Sequence, residues 1–393
     1  MVNPDWISTT FSRTTSSGTV IKEIDGLRFM SIFLVILLHF NLNTMPGQPP
    51  NGLMDWLVIH VSSIGKVGVQ LFFIISGFVL GLPFARHFLA GARAVSIKSY
   101  FKRRVTRLEP PYVLNLIICG FIIFIILHRS FHIYGAPLLA SIFYSHSLIY
   151  HKMSIINPVT WSLEVEIQFY ILAPFLARIF SVKSSCIRRG AIVSVIALFI
   201  ILPNLLPLHH YLYNLSLLGS LQYFLTGFLL VDFFVKTWER SGARPFRALW
   251  DVFGLLTLAG LFVVWISNRY VEYLFPGLAF LFFASVFQGR LLRSFFSNIW
   301  ITTIGGMCYS IYLYHYLITA HAEWILGWLV LPMPYWCNFI AHFVLHFMMI
   351  LMFCGAFFVF IEKPCMNPAW PNRLTAWFRA RARVFRGAHT GLG

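Results

Sequence analysis

The residues of this chain that could do chemistry are few, and several fall inside apolar runs where charge is costly. The first run opens Ile24-Asp25-Gly26-Leu27-Arg28, and His39 follows eleven residues after the arginine. Eleven steps of about 100° make three turns plus roughly 20°, so a helix carries Arg28 and His39 on one face, about 16 Å apart along its axis. Insertion scales put an ionisable side chain at the centre of a membrane helix at about 2.5 to 3.5 kcal/mol, so such residues persist where they are paired or used. A cation at the mouth and a titratable base further in suit a site that takes an anionic donor from one side and a hydroxyl acceptor from the other. The same pair equally suits an arginine reaching to headgroups and a histidine bonded to a neighbouring helix.

A second cluster reads Tyr100-Phe101-Lys102-Arg103-Arg104-Val105-Thr106-Arg107-Leu108-Glu109-Pro110-Pro111-Tyr112. In a helix Arg104 and Arg107 stand three apart on one face, with Arg103 beside them, and Pro110-Pro111 marks a place where a new helix can start. Two guanidinium forks at that spacing suit a phosphate or pyrophosphate, and ordinary anchoring at the membrane surface accounts for them as well. A third constellation is Thr160-Trp161-Ser162-Leu163-Glu164-Val165-Glu166. Glu164 and Glu166 lie roughly 200° apart on a helix, so only one of them faces a given site, whereas Ser162 and Glu166 share a face. A glutamate this early in a helix also complements its dipole. Further on stand His315 in an aromatic setting, Glu323 about two turns later, and His342 with His346 at a spacing compatible with a metal but with no further ligand in evidence.

The elements that must hold these groups are set by composition. Of 393 residues, 58% are hydrophobic and only 11% charged, where a soluble protein carries about a quarter charged residues. The apolar residues come in blocks of about twenty, the length that crosses roughly 30 Å of hydrocarbon. Hydropathy predicts about ten spans, near 24–42, 62–82, 110–127, 158–178, 190–208, 212–233, 249–267, 271–288, 301–325 and 338–361, with 136–150 interfacial or re-entrant. The fold class is therefore all-α and polytopic. Residues 1–20 are polar and rich in Ser and Thr, so no cleavable leader is expected and the first apolar run is read as a true span.

Lysines and arginines alternate between loops. One set holds Arg86, Arg93, Lys98, Lys102, Arg103, Arg104 and Arg107, then Arg178 to Arg189, then Lys236 to Arg247, then Arg290 and Arg293; the intervening loops hold only Arg129, Lys152 and Arg269. Both termini join the positive set, which predicts cytoplasmic ends and an even number of spans. The net charge of +17 is then explained by topology and by affinity for anionic lipid. Spread over several segments, it gives no single basic face for nucleic acid. The six cysteines show no metal spacing.

These blocks carry a resemblance to the membrane-bound acyltransferase family 3, the O-acyltransferases of bacterial surface glycans, Nod factors and some antibiotics. The matching stretches run in order: Ile24-Asp25-Gly26-Leu27-Arg28 with His39; Gly68-Val69-Gln70-Leu71-Phe72-Phe73-Ile74-Ile75-Ser76-Gly77-Phe78; Arg104 and Arg107 followed by Pro111-Tyr112; Thr160-Trp161-Ser162-Leu163 with Glu166; Tyr309 to His315; and Glu362-Lys363-Pro364. The resemblance implies a cytoplasmic segment at 1–23, an acyltransferase domain at 24–362 and a basic cytoplasmic tail at 363–393. It implies catalytic roles for His39, Arg28 and Glu166, with His39 as base or acyl carrier and Glu166 orienting or charge-balancing it. Arg104 and Arg107, with Arg103, would bind a cytoplasmic acyl-CoA donor, acetyl-CoA by the family's habit.

No permanently bound cofactor and no metal are implied. The acceptor would be a glycan or lipid-linked glycan, and the location the cell inner membrane. Departures bear on the acceptor side: Gln70 stands where an acid is usual, Glu164 where serine is common, Ile167 where a second glutamate often follows, and Tyr314-His315-Tyr316 in place of Trp-His-Trp. Many relatives add a soluble domain after the last span; the thirty or so residues here are too few for one, so any partner enzyme is expected to be separate. A lipid or glycan transporter with gating charges is the competing reading, lowered by the lack of an internal repeat.

Overall fold

The structure is a computed structural model that describes residues 10–13, 20–43, 50–205, 213–239, 246–266, 273–326, 332–367 and 369–371, apart from the side chains of 204–205, 265–266 and 323–325. The side chain of Glu323 and the basic tail beyond residue 371 therefore lie outside what the structure describes. Among the described residues the chain is helical, with no strand. The helices are α1 (Lys22–Asn43), α2 (Leu53–Ser63), α3 (Val67–Ala90), α4 (Ile97–Phe121), α5 (Phe131–Ile142), α6 (His146–Tyr150), α7 (Trp161–Leu176), α8 (Ser185–Leu205), α9 (Leu221–Phe233), α10 (Arg247–Ile266), α11 (Phe275–Gln288), α12 (Leu291–Phe296), α13 (Ile299–Gly306), α14 (Cys308–Leu326) and α15 (Tyr335–Phe357).

Five helical stretches among the described residues are long and apolar enough to cross a membrane: Leu53–Ala90, Ile97–Ile126, Ser185–Pro203, Arg247–Val264 and Tyr335–Cys365. Each coincides with one of the predicted spans. The protein is thus a multi-pass membrane protein. The other expected spans take different forms. The 24–42 run is the 22-residue α1, whose polar groups lower its hydropathy, while 212–233 and 271–288 contract to the 13-residue α9 and the 14-residue α11. The 301–325 run breaks at Met307 into α13 and α14. The 136–150 stretch forms the two short helices α5 and α6.

Lipid-facing and core-facing surfaces separate cleanly. Of the Ser185–Pro203 helix only 17% is buried within the protein, so its apolar side chains meet lipid. Inside, Phe78, Phe169, Phe224, Phe228, Phe282 and Phe283 are fully covered. Helix association in lipid depends on close packing because tails are as apolar as the side chains, and small residues permit it. At the α3–α9 crossing a methyl group on Gly77 would collide with the Phe224 carbonyl, and one on Gly227 with the Ile74 carbonyl.

The expectation that Pro110-Pro111 starts a new helix is corrected, since α4 runs through both prolines without a break. A proline removes one amide donor four residues after the carbonyl it would have met. For Pro110 that carbonyl is Thr106, and it accepts instead from the Trp370 indole Nε1 at 2.9 Å. The continuous helix keeps Arg104 and Arg107 rigidly connected to the membrane interior.

Candidate active site

α1 and α14 pack side by side and bring together two histidines 276 residues apart. His39 Nδ1 lies 3.0 Å from His315 Nε2, with ring centroids 5.0 Å apart. Each ring is also tied to its own helix. His39 Nδ1 is 3.0 Å from the Val35 carbonyl, and His315 Nδ1 is 3.0 Å from the Ile311 carbonyl and 2.9 Å from that of Tyr312. His315 is wholly buried, His39 is half-buried, and the Tyr316 ring meets His39 edge-on.

Tyr312, one turn before His315, extends the polar strip to α7. Its hydroxyl donates to the Val159 carbonyl at 2.6 Å, accepts from the Leu163 amide and lies 3.1 Å from the Ser162 hydroxyl. One turn along α7, Glu166 Oε1 accepts from the Tyr170 hydroxyl at 2.7 Å and from Ser76 of α3 at 2.5 Å. Tyr170 then touches α4, because its carbonyl accepts from the Tyr100 hydroxyl, and the Arg104 guanidinium lies over the Tyr100 ring at 3.5 Å and the Tyr170 ring at 5.5 Å. Glu166 is within Coulombic range of both Arg28 and Arg104. Its hydrogen bonds go to Ser76 and Tyr170, and the described partner of His39 is His315. Glu164 turns the other way, accepting from the Ser147 amide of α6 at 2.8 Å, as the 200° separation requires.

At the basic end of the bundle Arg28 donates to Asp25 at 2.6 Å. Arg13, in the short stretch before α1, donates to the same carboxylate at 3.0 Å. Arg107 is 3.7 Å from Glu362, whose other oxygen accepts from the Ser310 hydroxyl at 2.6 Å and the Ser310 amide at 3.0 Å. The Nε of Arg107 and Oε1 of Glu362 are buried without a hydrogen-bond partner among the described residues. Arg103 and Arg104 are both half-buried and in no ion pair among the described residues, whereas Arg28 and Arg107 each face a carboxylate.

Sequence reasoning noticed His315 without a role and missed Tyr170, Tyr100 and Asp25. Tyr170 is four residues after Glu166 and Tyr100 four before Arg104, a helical spacing that could have flagged both. A cavity of about 460 Å³ is found away from this site. It opens at the basic end among Lys22, Glu23, Arg247, Arg290 and Arg293, on the side of α1 turned roughly 200° away from Asp25. Glu23 is the carboxylate that lines that cavity, and Arg293 holds it. His342 and His346 lie along α15, and among the described residues no group of three His, Cys, Asp or Glu side chains converges as metal ligands.

Comparison with known proteins gives this geometry its context. The family model described as an acyltransferase domain, Acyl_transf_3, matches residues 21–361. The chain belongs to this acyltransferase family. Every group described in this site except Arg13 and Glu362 lies within the matched residues. The O-acetyltransferase OatA of Staphylococcus aureus strain NCTC 8325 is 25% identical over 334 residues, covering 77% of this chain and 51% of OatA. SACOL0978 of S. aureus strain COL, provisionally named an O-acetyltransferase, is 22% identical over 378 residues, covering 88% of this chain and 57% of that protein. YrhL of Bacillus subtilis strain 168, provisionally named a peptidoglycan O-acetyltransferase, is 27% identical over 194 residues, covering 45% and 27%. The chain thus spans about half the length of the curated relatives that it matches most fully. No solved structure matches.

Proposed function

We propose that the protein transfers an acyl group, acetyl by default, from acyl-CoA on the cytoplasmic side of the cell inner membrane to a hydroxyl of a glycan or lipid-linked glycan reached from the outer side or the bilayer. The observation that carries this reading is the contact that His315 of α14 makes with His39, which shares α1 with Arg28. Its hydrogen bonds dictate the proton positions. Two backbone carbonyls, which can only accept, face His315 Nδ1, so that nitrogen carries the proton and Nε2 is left with a lone pair. His315 Nε2 therefore accepts from His39 Nδ1–H, which the Val35 carbonyl also favours. His39 Nε2 then keeps its lone pair and is the base.

The chemistry follows in balanced steps. The acceptor hydroxyl gives its proton to His39 Nε2 as its oxygen bonds to the thioester carbonyl carbon. The tetrahedral intermediate then collapses, the carbon–sulfur bond breaks, and the departing thiolate takes the proton from His39 to leave as CoA thiol. The imidazolium formed in between keeps its Nδ1–H on His315, which is the role an orienting acceptor plays for a histidine base.

Arg28, about 16 Å from His39 along the helix, is too far to meet the reacting carbonyl, and it serves the donor's anionic end with Arg104 and Arg107. The pantetheine arm would bridge the interval, running past Tyr170 and Glu166. Glu166, fixed by Ser76 and Tyr170, balances the arginines and does not contact the base. The same charges would suit a transporter, which moves its cargo unchanged. Purified protein in nanodiscs, given acyl-labelled acetyl-CoA and candidate glycans, separates the two: free CoA thiol with label on the glycan is expected, and intact thioester with unlabelled glycan would sink the transferase reading.

A further inference from the structure

Arg13 is outside every stretch that carries the family resemblance, yet it reaches the site. Its segment is anchored at two points. The Thr10 carbonyl accepts from Lys363 Nζ at 2.8 Å, and the Phe11 ring and carbonyl lie against Gly355 and Gly306, where an added methyl would meet them at 3.5 and 3.8 Å. Arg13 then turns inward, its side chain only 10% exposed, and shares Asp25 with Arg28.

The charge balance there is unequal. Arg13, Arg28, Arg104 and Arg107 face three carboxylates, Asp25, Glu166 and Glu362, and Arg13 is within Coulombic range of Arg28 and Arg107. Asp25 is already held by Arg28 at 2.6 Å, so its neutralisation does not require a second guanidinium. A buried surplus cation is costly unless an anion completes it. The Nε of Arg107, without a hydrogen-bond partner among the described residues, points to the same need.

We propose that Arg13 is a fourth donor-binding arginine beside Arg28, Arg104 and Arg107, and that with Arg28 and Arg107 it holds a phosphate group of the acyl-CoA donor. The N-terminal segment thereby forms one wall of the donor site. This rests on the reading of a CoA thioester entering at the basic end. A lipid headgroup offers the same phosphate chemistry, and the test separates the two sources.

The experiment is equilibrium binding of CoA to the purified full chain in nanodiscs of neutral lipid. Loss of one forked guanidinium–phosphate contact in Arg13→Gln is expected to raise the Kd about tenfold or more. Arg13→Lys, which keeps the charge without the fork, is expected to recover only part of that affinity. Arg86→Gln, in an exposed ion pair with Glu239 that has no part in the site, is expected to bind CoA as wild type does. Unchanged thermal unfolding of Arg13→Lys guards against a folding artefact in Arg13→Gln. Wild-type affinity in both Arg13 variants would overturn this proposal while leaving the donor reading intact. No binding by the wild type would overturn the donor reading and this proposal with it. In nanodiscs containing phosphatidylglycerol, a change in retained anionic lipid without any change in CoA affinity would assign the phosphate to a headgroup and overturn the donor role.

Discussion

Two buried arginine clusters in this protein are built on opposite principles. In one, at the start of α8, Arg188 is fully enclosed and saturated: Nε pairs with Asp232, and the two terminal nitrogens reach the Val182 and Lys183 carbonyls and the Ser185 hydroxyl. Arg189 pairs with the other oxygen of Asp232 at 2.6 Å and stacks on Phe233. In the other, at the foot of α1, three arginines share two carboxylates and leave polar atoms unmet. A saturated cluster has completed its bonding within the chain and holds α8 to α9. An unsaturated one retains bonding capacity for something that arrives. Charge in the membrane is thus not one signal but two, and hydrogen-bond accounting tells them apart.

The distinction can be broken or sharpened by substitution. The largest effect is expected at the base: His39→Ala should lower transfer by roughly a hundredfold or more, the range of general base catalysis, with the amount of inserted protein unchanged. Next, Arg188→Ala should destabilise the fold by about 3–5 kcal/mol, because Asp232 would lose its closest partner in the interior; thermal unfolding in detergent would register it, and an unmoved midpoint would erase the contrast between the clusters. Arg107→Gln should leave that midpoint in place and raise the KM for the donor about tenfold, as for loss of one charged contact. A fall in stability without a change in donor KM would make this cluster structural as well. The smallest effect belongs to Arg86 and Glu239, an ion pair exposed at 27% and 36%, where Arg86→Ala should cost about 0–1 kcal/mol, and less at high salt.

The sequence carried the fold at the level of helices because lipid imposes a length and an apolarity that hydropathy reads directly. It was less informative where helices are short or interrupted, since α9 begins only at Leu221 and runs on into a π-helical stretch over Phe234–Trp238, and α13 breaks from α14 at Met307. On a single helix the geometry was legible in advance. Arg28 and His39 on α1, Ser162 with Glu166 on α7, and the opposed Glu164 follow from 3.6 residues per turn. Pairings across the bundle were not, because no local rule links His39 to His315 or Glu166 to Ser76. Nor does anything in the sequence around Arg13 hint that Asp25 will receive it.

The central claim is that His39 Nε2, oriented through His315, is the base for acyl transfer. The most direct measurement is single-turnover release of CoA thiol across pH, at matched protein amounts, for wild type, His315→Gln and His315→Leu. Glutamine can still accept from His39 Nδ1–H, so that variant should keep most of the rate, whereas leucine should lose it by roughly a hundredfold with donor affinity unchanged. Equal rates in the leucine variant and the wild type, with the same pH profile, would contradict the account.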